Sequence, residues 1–481
     1  MNFIEKIFSK KILLKEGSQY LVFPGSLEIT GNQITNVTKL TLESYQGSII
    51  NEKKKNKIKI HDFGDRLITP AFINCHTHIA MNFFRSILSN HSKAKNLIED
   101  IFFKCESLLN ANDIRAFARM GAYENILNGN GLIWDHYYHG FEVAEACHDV
   151  GLTAVVAPTL QDITGPGSSY FQSMLDQTYE IHSHPTFQKA GIYAAFGAHA
   201  TDTVSEGLWK KIQSGSENLN IPIHCHVSQS YEEVKTIYKK FKKTPVEYLH
   251  SLGLFKSKIK NLLVHGIYLN KKDFKYLKNK NCALVFCPFS QMIFQSPANI
   301  IDWQKNKINW FVATDCVASN DSMNLQKELR FVSGFPSLLN TFEINTKIIK
   351  NMSSKNKKEF SNKRVEIKKL QNSFSNSDFL LDKILAQPGS FHNHFKAGIL
   401  EKGALANFTV WDTDHPSMWP AHNVTRNLAM GDTTGAIHNM CVGGKWLGEN
   451  GNYSQSILNS ANYKNSLSEA NHRLNILLKK L

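Results

Sequence analysis

The sequence predicts an α/β fold: a parallel (β/α)8 barrel of the TIM type, carrying a small β-sandwich domain built from both chain ends. Three observations lead there. Apolar segments of strand length recur through the middle of the chain, each followed by a helical pattern, and such alternation indicates parallel construction. Eight of these strands can be counted, the number a β/α barrel needs. The two ends of the chain read instead as short strands and glycine turns.

In chain order, residues 1–67 supply the first part of the β-domain, with β-like runs and turns such as "YLVFPGSLEITGNQITNV". The barrel is expected over 68–395. Its strands are "FINCHTHI", "GLIWDHYY", "TAVVAPTL", "IYAAFGAH", "IPIHCHV", "NLLVHGI", "CALVFCP" and "WFVATD". Helical candidates between them include "FEVAEACHDVG", "SEGLWKKIQSG", "SYEEVKTIYKKF" and "KKDFKYLKNKN". A stretch near 345–380, rich in Asn, Lys and Ser, reads as a polar surface insertion. Residues 396–481 return to β-patterns in "GALANFTVWD" and "HNMCVGGKWL" and close on a terminal helix. No internal repeat at solenoid spacing is present.

The totals bound the function. At 481 residues, with 42% hydrophobic and 11% aromatic content, the chain can bury a large core. Its net charge of +14 raises nucleic acid as a partner. Much of that charge, however, lies in solvated runs such as "NEKKKNKIKI" and "SSKNKKEFSNKRVEIKK", with no RNA-binding aromatic motif, zinc finger or phosphate loop beside them. Nucleic acid is therefore not the expected partner. The eight cysteines, at 75, 105, 147, 225, 282, 287, 316 and 441, form no Cys-x-x-Cys pair. The opening "MNFIEKIFSKKILLKEGSQY" mixes charge into its apolar residues and does not read as a secretory signal. A reduced, cytoplasmic protein is expected, without a membrane span, since no apolar run approaches ~20 residues.

The chemistry collects at the downstream ends of the strands. His76 and His78 stand two residues apart at the end of an apolar run, and side chains at i and i+2 of a strand point the same way. His199, then His224, His226 and Gln229, then His265, then Asp315 and Ser319 follow the ends of four later strands. In a β/α barrel those ends share one rim, where active sites are built. Any one residue alone is more often a core or surface residue. Together they predict one divalent metal ion, zinc first, with iron or manganese as alternatives. Such an ion lowers the pKa of its bound water and makes hydroxide available at neutral pH. Cys75, Cys225 and Cys316 each neighbour a proposed ligand, so strand alternation turns them to the opposite face as packing residues. The residues alone leave both His224 and His226 open as the ligand from their strand.

These motifs carry a resemblance. "ITPAFINCHTHIAM", "FGAHATDTVS", "IHCHVSQSYEEV", "LLVHGIYL", "CPFSQ" and "ATDCVASNDSMNLQKELR" stand in the order of the aminohydrolase and chlorohydrolase branch of the amidohydrolase superfamily. That branch includes triazine hydrolases, guanine and cytosine deaminases, and S-adenosylhomocysteine-type deaminases. "GILEKGALANFTVWD" with "GGKW" is similar to its closing β-segment, so the resemblance spans about 20–447. It implies His76, His78, His226 and Asp315 as metal ligands. Asp315 doubles as the base, and His265 bonds the reacting group. His199, Gln229 and Ser319 contact substrate or orient the site, Ser319 through its loop or Asp315. The implied substrate is a small nitrogen heterocycle, attacked by metal-bound hydroxide at a carbon bearing an amino group. Members of the branch often pair, so a homodimer is carried as an expectation without an interface. The other zinc deaminase pattern, His-x-Glu with Pro-Cys-x-x-Cys, is absent.

Two positions depart from the branch. Ala71 stands where the lead into His-x-His has glycine, which alters only the turn. Gln229 stands where deaminating members have glutamate. An amide donates and accepts hydrogen bonds but takes up no proton at neutral pH. General acid–base help is worth ~10²–10⁴-fold. Dechlorination, amide hydrolysis and a catalytically silent binding barrel are therefore carried as alternatives to deamination. Glu232 and Glu233 fall on the following helix and are not expected to fill the gap. Six aromatic residues, Phe83, Phe84, Trp134, Tyr137, Tyr138 and Phe289, are candidates for a planar pocket, with core packing as the competing reading. Arg85 is a candidate either for an anionic substituent or for a surface ion pair.

Overall fold

A computed structural model describes residues 4–54, 58–85, 98–256, 258–293, 297–335, 365 and 368–481. Near the N-terminus, β1 (Glu5–Glu16) and β2 (Gln19–Thr30) form an antiparallel hairpin, and β3 (Gln33–Lys39) folds back on β2. Both turns use a glycine with positive φ, Gly17 and Gly31, each at 60°, a conformation costly for other residues. β4 (Lys59–Asp62) and β5 (Leu67–Pro70) run parallel to β1. Between β3 and β4 lies a helix the sequence reading passed over, α1 (Leu42–Lys54). It buries only Tyr45 and Ile49, so its apolar stripe is too thin to read.

The middle of the chain is parallel β/α. β6 (Phe72–Thr77), β7 (Asn130–Tyr137), β8 (Thr153–Leu160), β9 (Ile192–Ala194) and β10 (Gly197–Ala198) form one sheet, in the order β10-β8-β7-β6 with β9 on β8. β11 (Ile223–Val227), β12 (Asn261–His265), β13 (Cys282–Phe286) and β14 (Trp310–Val312) form the second. Single parallel bridges join Phe196 to Ile223 and Thr77 to Asp315, one at each flank of the two sheets. Nearly every residue of these strands is buried, which is why they read as continuous apolar runs rather than alternating ones.

Helices pack outside. α2 (Phe103–Glu106) and α3 (Ala111–Leu127) follow β6; α4 (Gly140–Val150), α5 (Phe171–Ser183), α6 (Pro185–Ala190), α7 (Glu206–Leu219) and α8 (Tyr231–Phe241) follow later strands. The long α3 was not expected, although Asn110 and Asp113 form a capping box at its start. Ser205 and Ser230 cap α7 and α8, each accepting a backbone N–H. The helix expected over "KKDFKYLKNKN" shrinks to Phe274–Leu277. Asn279 accepts the N–H of Asn281 at 3.0 Å, and this side-chain turn competes with a further helical turn.

The C-terminal strands β15 (Phe408–Trp411), β16 (Ile437–Val442) and β17 (Lys445–Leu447) return to the first sheet. β15 pairs antiparallel with β5, giving the order β17-β16-β15-β5-β1-β2-β3, so both chain ends share one sheet. A terminal helix, Ala461–Leu478, lies on α3, where Arg473 pairs with Asp113 at 3.1 Å. Of the polar insertion expected near 345–380, residues 345–364, 366 and 367 lie outside the described residues. No helix among the described residues is long and apolar enough to cross a membrane.

Candidate metal centre

The strand β6 positions the first two imidazoles. Its register against β7 shifts between Asn74 and Thr77, a break that resets the alternation of faces. The consequence corrects one expectation. Cys75 packs with Ile73 and Trp134 on the inner face of the parallel sheets, next to the histidines rather than opposite them. Cys225 does pack on the outer side, and Cys316 borders the cleft described below. Among the described residues, no group of side chains at ligand spacing includes a cysteine.

Asp135 of β7 fixes the turn that follows. It accepts the Thr77 hydroxyl at 2.9 Å and the Ile79 N–H at 2.6 Å. The Asp315 N–H donates to the His76 carbonyl at 3.1 Å, tying the end of β14 to β6. Asp315, His265 and Ser228 all have positive φ, at 65°, 77° and 52°, just past the ends of β14, at the end of β12 and just past β11. Non-glycine residues pay about 1–2 kcal/mol for that region. Such strain persists where the surroundings over-determine it, as at functional sites.

The hydrogen bonds select tautomers. His226 Nδ1–H donates to the His199 carbonyl at 2.8 Å, and His78 Nδ1–H donates to the His136 carbonyl. His76 Nδ1 lies 2.9 Å from His224 Nε2. His226 and His78 are thereby left with an Nε2 lone pair for another partner, the usual way a fold orients a metal-binding imidazole, and His76 has one when its Nδ1 is the donor to His224. The ligand atoms of His76, His78 and His226 lie within 4.8 Å of one another, as do those of His76, His265 and Asp315. Asp315 Oδ1 is 3.5 Å from both His76 Nε2 and His78 Nε2, and Oδ2 is 3.8 Å from His265 Nε2. His76 Nε2 is fully buried and has no hydrogen-bond partner, an orphan that a cation would satisfy. Three imidazole nitrogens and one carboxylate oxygen are a donor set for a divalent ion, zinc above all.

Electrostatics agree. Burial holds the His76 imidazole down to about 4 and lowers those of His78, His226 and His265. All are neutral at pH 7, as ligands must be. Burial pushes the Asp315 carboxyl up, but the facing imidazoles of His76, His265 and His78 outweigh it and hold it well below the carboxylate range. Asp315 Oδ1 also accepts the Cys316 N–H at 2.8 Å, and Oδ2 the Ser290 hydroxyl at 2.7 Å.

These groups border a narrow cleft of about 70 Å³. Among the expected site residues, His78, His199, His226, Gln229, His265 and Asp315 line it. His76 lies just behind. Ser319, expected near substrate, is buried one step further back, its hydroxyl 2.7 Å from that of Ser290, through which it reaches Asp315. His224 is buried behind His76. Of the six aromatic candidates, Tyr137 and Tyr138 line the cleft. Phe83, Phe84 and Trp134 pack in the core, and Phe289 is largely exposed. Arg85 makes the ion pair, at 2.7 Å from Glu124. Glu233 sits on α8, as expected, and is buried. It accepts the N–H groups of Ser228 and Gln229 at 3.1 and 2.8 Å, bracing the loop beneath Gln229.

Six contributors were not foreseen. Asp135 and His136 lie inside "GLIWDHYY", where their place at a strand end was the available signal. Ser290 lies in "CPFSQ". Glu106 and the aromatic residues Phe102 and Phe103 come from a segment with no readable pattern, yet they form one wall of the cleft.

Residues 67–356 match the model of the Amidohydrolase family. The chain belongs to the amidohydrolase family. It thereby stands among hydrolases acting on carbon–nitrogen bonds other than peptide bonds. The chain is 24% identical to a 5'-deoxyadenosine deaminase of Methanococcus vannielii over 82% of its own length and 86% of that protein. It is 25% identical to a 5-methylthioadenosine/S-adenosylhomocysteine deaminase of Thermococcus sibiricus, over 90% and 93%. Its fold is similar to the crystal structure of an adenosine deaminase from Xanthomonas campestris with bound zinc, at a TM-score of 0.75, 16% identity and 98% coverage of both chains.

Proposed function

We propose that this amidohydrolase is a zinc-dependent deaminase of adenosine-type compounds. The observation that carries the reading is the convergence of three neutral imidazole Nε2 atoms and the Asp315 carboxylate, from three separate strands, beside one cleft. His76, His78, His226 and Asp315 would hold the ion, whose contribution is to lower the pKa of a water to about 7. The chain's own groups do the rest. Asp315 takes the proton of the attacking water and returns it to the departing amine, and His265 bonds the reacting oxygen. His199 and Gln229 hold the ring edge, while Phe102, Phe103, Tyr137 and Tyr138 flank its planar faces. The printed activities of the curated relatives support an adenine-bearing substrate.

The architecture belongs to the same reading. The flanking bridges support a closed (β/α)8 barrel over 68–395, and the shared sheet supports a small β-sandwich domain from 1–67 and 396–481. Eight free, buried cysteines fit a reducing, cytoplasmic setting.

The test is ammonia release by zinc-loaded protein from adenosine, 5'-deoxyadenosine, 5'-methylthioadenosine, S-adenosylhomocysteine and guanine. Turnover of at least one adenine compound is expected; none, with metal bound, contradicts the reading. One observation favours a second reading. Gln229 hands over no proton, and chloride, unlike an amine, leaves without one. Chloride release from a chlorotriazine by protein that leaves the purines untouched would select it.

A further inference from the structure

Gln229 leaves a proton-relay gap in the cleft, but the same cleft holds a second carboxyl group. Among the described residues lining it, Asp315 and Glu106 are the two acids, and no lysine or arginine stands with them. Glu106 ends α2, the short helix on the wall beside Tyr137 and Tyr138. It is 8% exposed, and its carboxylate faces the Tyr137 hydroxyl. A buried carboxyl in a cleft, with a phenol for company and no cation among the described residues, is poorly built for stability. It is well built to hold and release a proton.

We propose that Glu106 is the proton-relay acid of this site, supplying from the Phe102–Glu106 side of the cleft what the Gln229 amide cannot. This rests on the deaminase reading. Each proton is accounted for. Glu106, protonated, gives its proton to the ring nitrogen next to the amino-bearing carbon as the water oxygen bonds to that carbon and Asp315 takes the water's proton. The carbon–nitrogen bond then breaks, and the amine leaves as ammonia with the proton from Asp315. The new hydroxyl gives its proton to the Glu106 carboxylate as the carbonyl forms. Amine plus water become a lactam N–H, a carbonyl and ammonia, with Glu106 and Asp315 restored.

The surroundings suit the role. The groups facing Glu106 are Tyr137 and Tyr138 of β7, Tyr170 ahead of α5, Cys105 on its own helix and Cys316 past β14. Burial raises all of these phenols and thiols, so none is charged at neutral pH. With no cation among the described residues to oppose it, burial lifts Glu106 to about 7, where both its forms are populated.

The experiment compares wild type, Glu106→Gln, Gln229→Glu and the double variant, each zinc-loaded and matched for metal content and melting temperature. Steady-state deamination of 5'-methylthioadenosine and adenosine is followed from pH 5 to 9. The expected result for E106Q is a kcat lower by ~10²–10⁴-fold with KM nearly unchanged and the limb near pH 7 gone from the kcat profile. Adding Q229E to E106Q restores at least tenfold. An E106Q enzyme with wild-type kcat overturns the proposal. So does a loss confined to KM with the pH profile intact, which marks a binding group only. A second readout needs no turnover: infrared difference spectra of isotope-labelled protein. A carboxylic C=O band titrating near pH 7 in wild type and missing from E106Q is expected, and its absence from wild type also overturns the proposal. If wild type deaminates no purine yet shows the band, the deaminase reading fails while the proton-holding carboxyl stands.

Discussion

His224 touches no substrate, yet its replacement by leucine should weaken metal binding while leaving the metal-free fold nearly as stable. For His76 to offer Nε2, its proton must sit on Nδ1, which then donates to His224 Nε2 at 2.9 Å. His224 must in turn carry its own proton on Nδ1, a fully buried atom with no partner. His224→Leu removes that orphan and creates another, at His76 Nδ1. An unpartnered buried donor costs about 1–3 kcal/mol, and the two changes cancel to within about 1 kcal/mol. The His76 ring, however, loses the contact that fixes its tautomer and orientation. Loss of such a supporting partner typically costs about 10–100-fold in metal affinity, or about 1.4–2.8 kcal/mol. Competition with a chromophoric chelator gives the zinc affinity, and urea denaturation of the metal-free protein gives the stability. Zinc affinity within twofold of wild type would refute the reasoning. So would a stability loss of about 3 kcal/mol or more in the metal-free protein, because His224 would then be a packing residue.

Three further outcomes are expected. Asp315→Ala should lose its metal during purification, and Cys225→Ala should keep it at full occupancy, both read by elemental analysis; metal retained by D315A would remove the carboxylate from the ligand set. His392, buried and donating to the Ala194 carbonyl at 3.1 Å, is held down to about 3 by burial. Its folded value lies below the unfolded one, so the unfolded chain binds more protons between those values and stability falls on acidification below about 6.5. From pH 7 to 5 the wild type should lose about 2 kcal/mol more than His392→Gln in urea titrations; parallel curves would contradict this. Glu233→Ala should free the Ser228–Gln229 loop and raise KM for substrate by tenfold or more while zinc content holds, and an unchanged KM would show that the loop is braced by other contacts.

The parallel strands were legible because burial on both faces writes them as apolar runs ending at polar residues. "TAVVAPTL" coincides with β8, and "IPIHCHV" overshoots β11 by two residues at its start. The ligand candidates were legible for the same reason: histidine and aspartate are conspicuous at the end of a buried strand. What stayed hidden depends on three-dimensional accident. The register shift in β6 reversed the facing of Cys75, and no spacing announces a bulge. Neither α1 nor α3 stands out as an apolar pattern: α1 buries too little, and the clearest mark of α3 is its polar capping box, Asn110 with Asp113. Ser290 and Glu106 are brought to the site only by the fold: Ser290 is 2.7 Å from an oxygen of Asp315, 25 residues away. The strain at Asp315, His265 and Ser228 is likewise invisible in the sequence, because it belongs to the backbone and not to the residue type.

Anomalous X-ray diffraction at the zinc absorption edge, from crystals of the metal-loaded protein, tests the central claim most directly. One peak is expected, with His76, His78 and His226 Nε2 and an Asp315 oxygen each about 2.0–2.2 Å away. A peak at another set of residues, or full hydrolytic activity in crystals with no peak there, would contradict it.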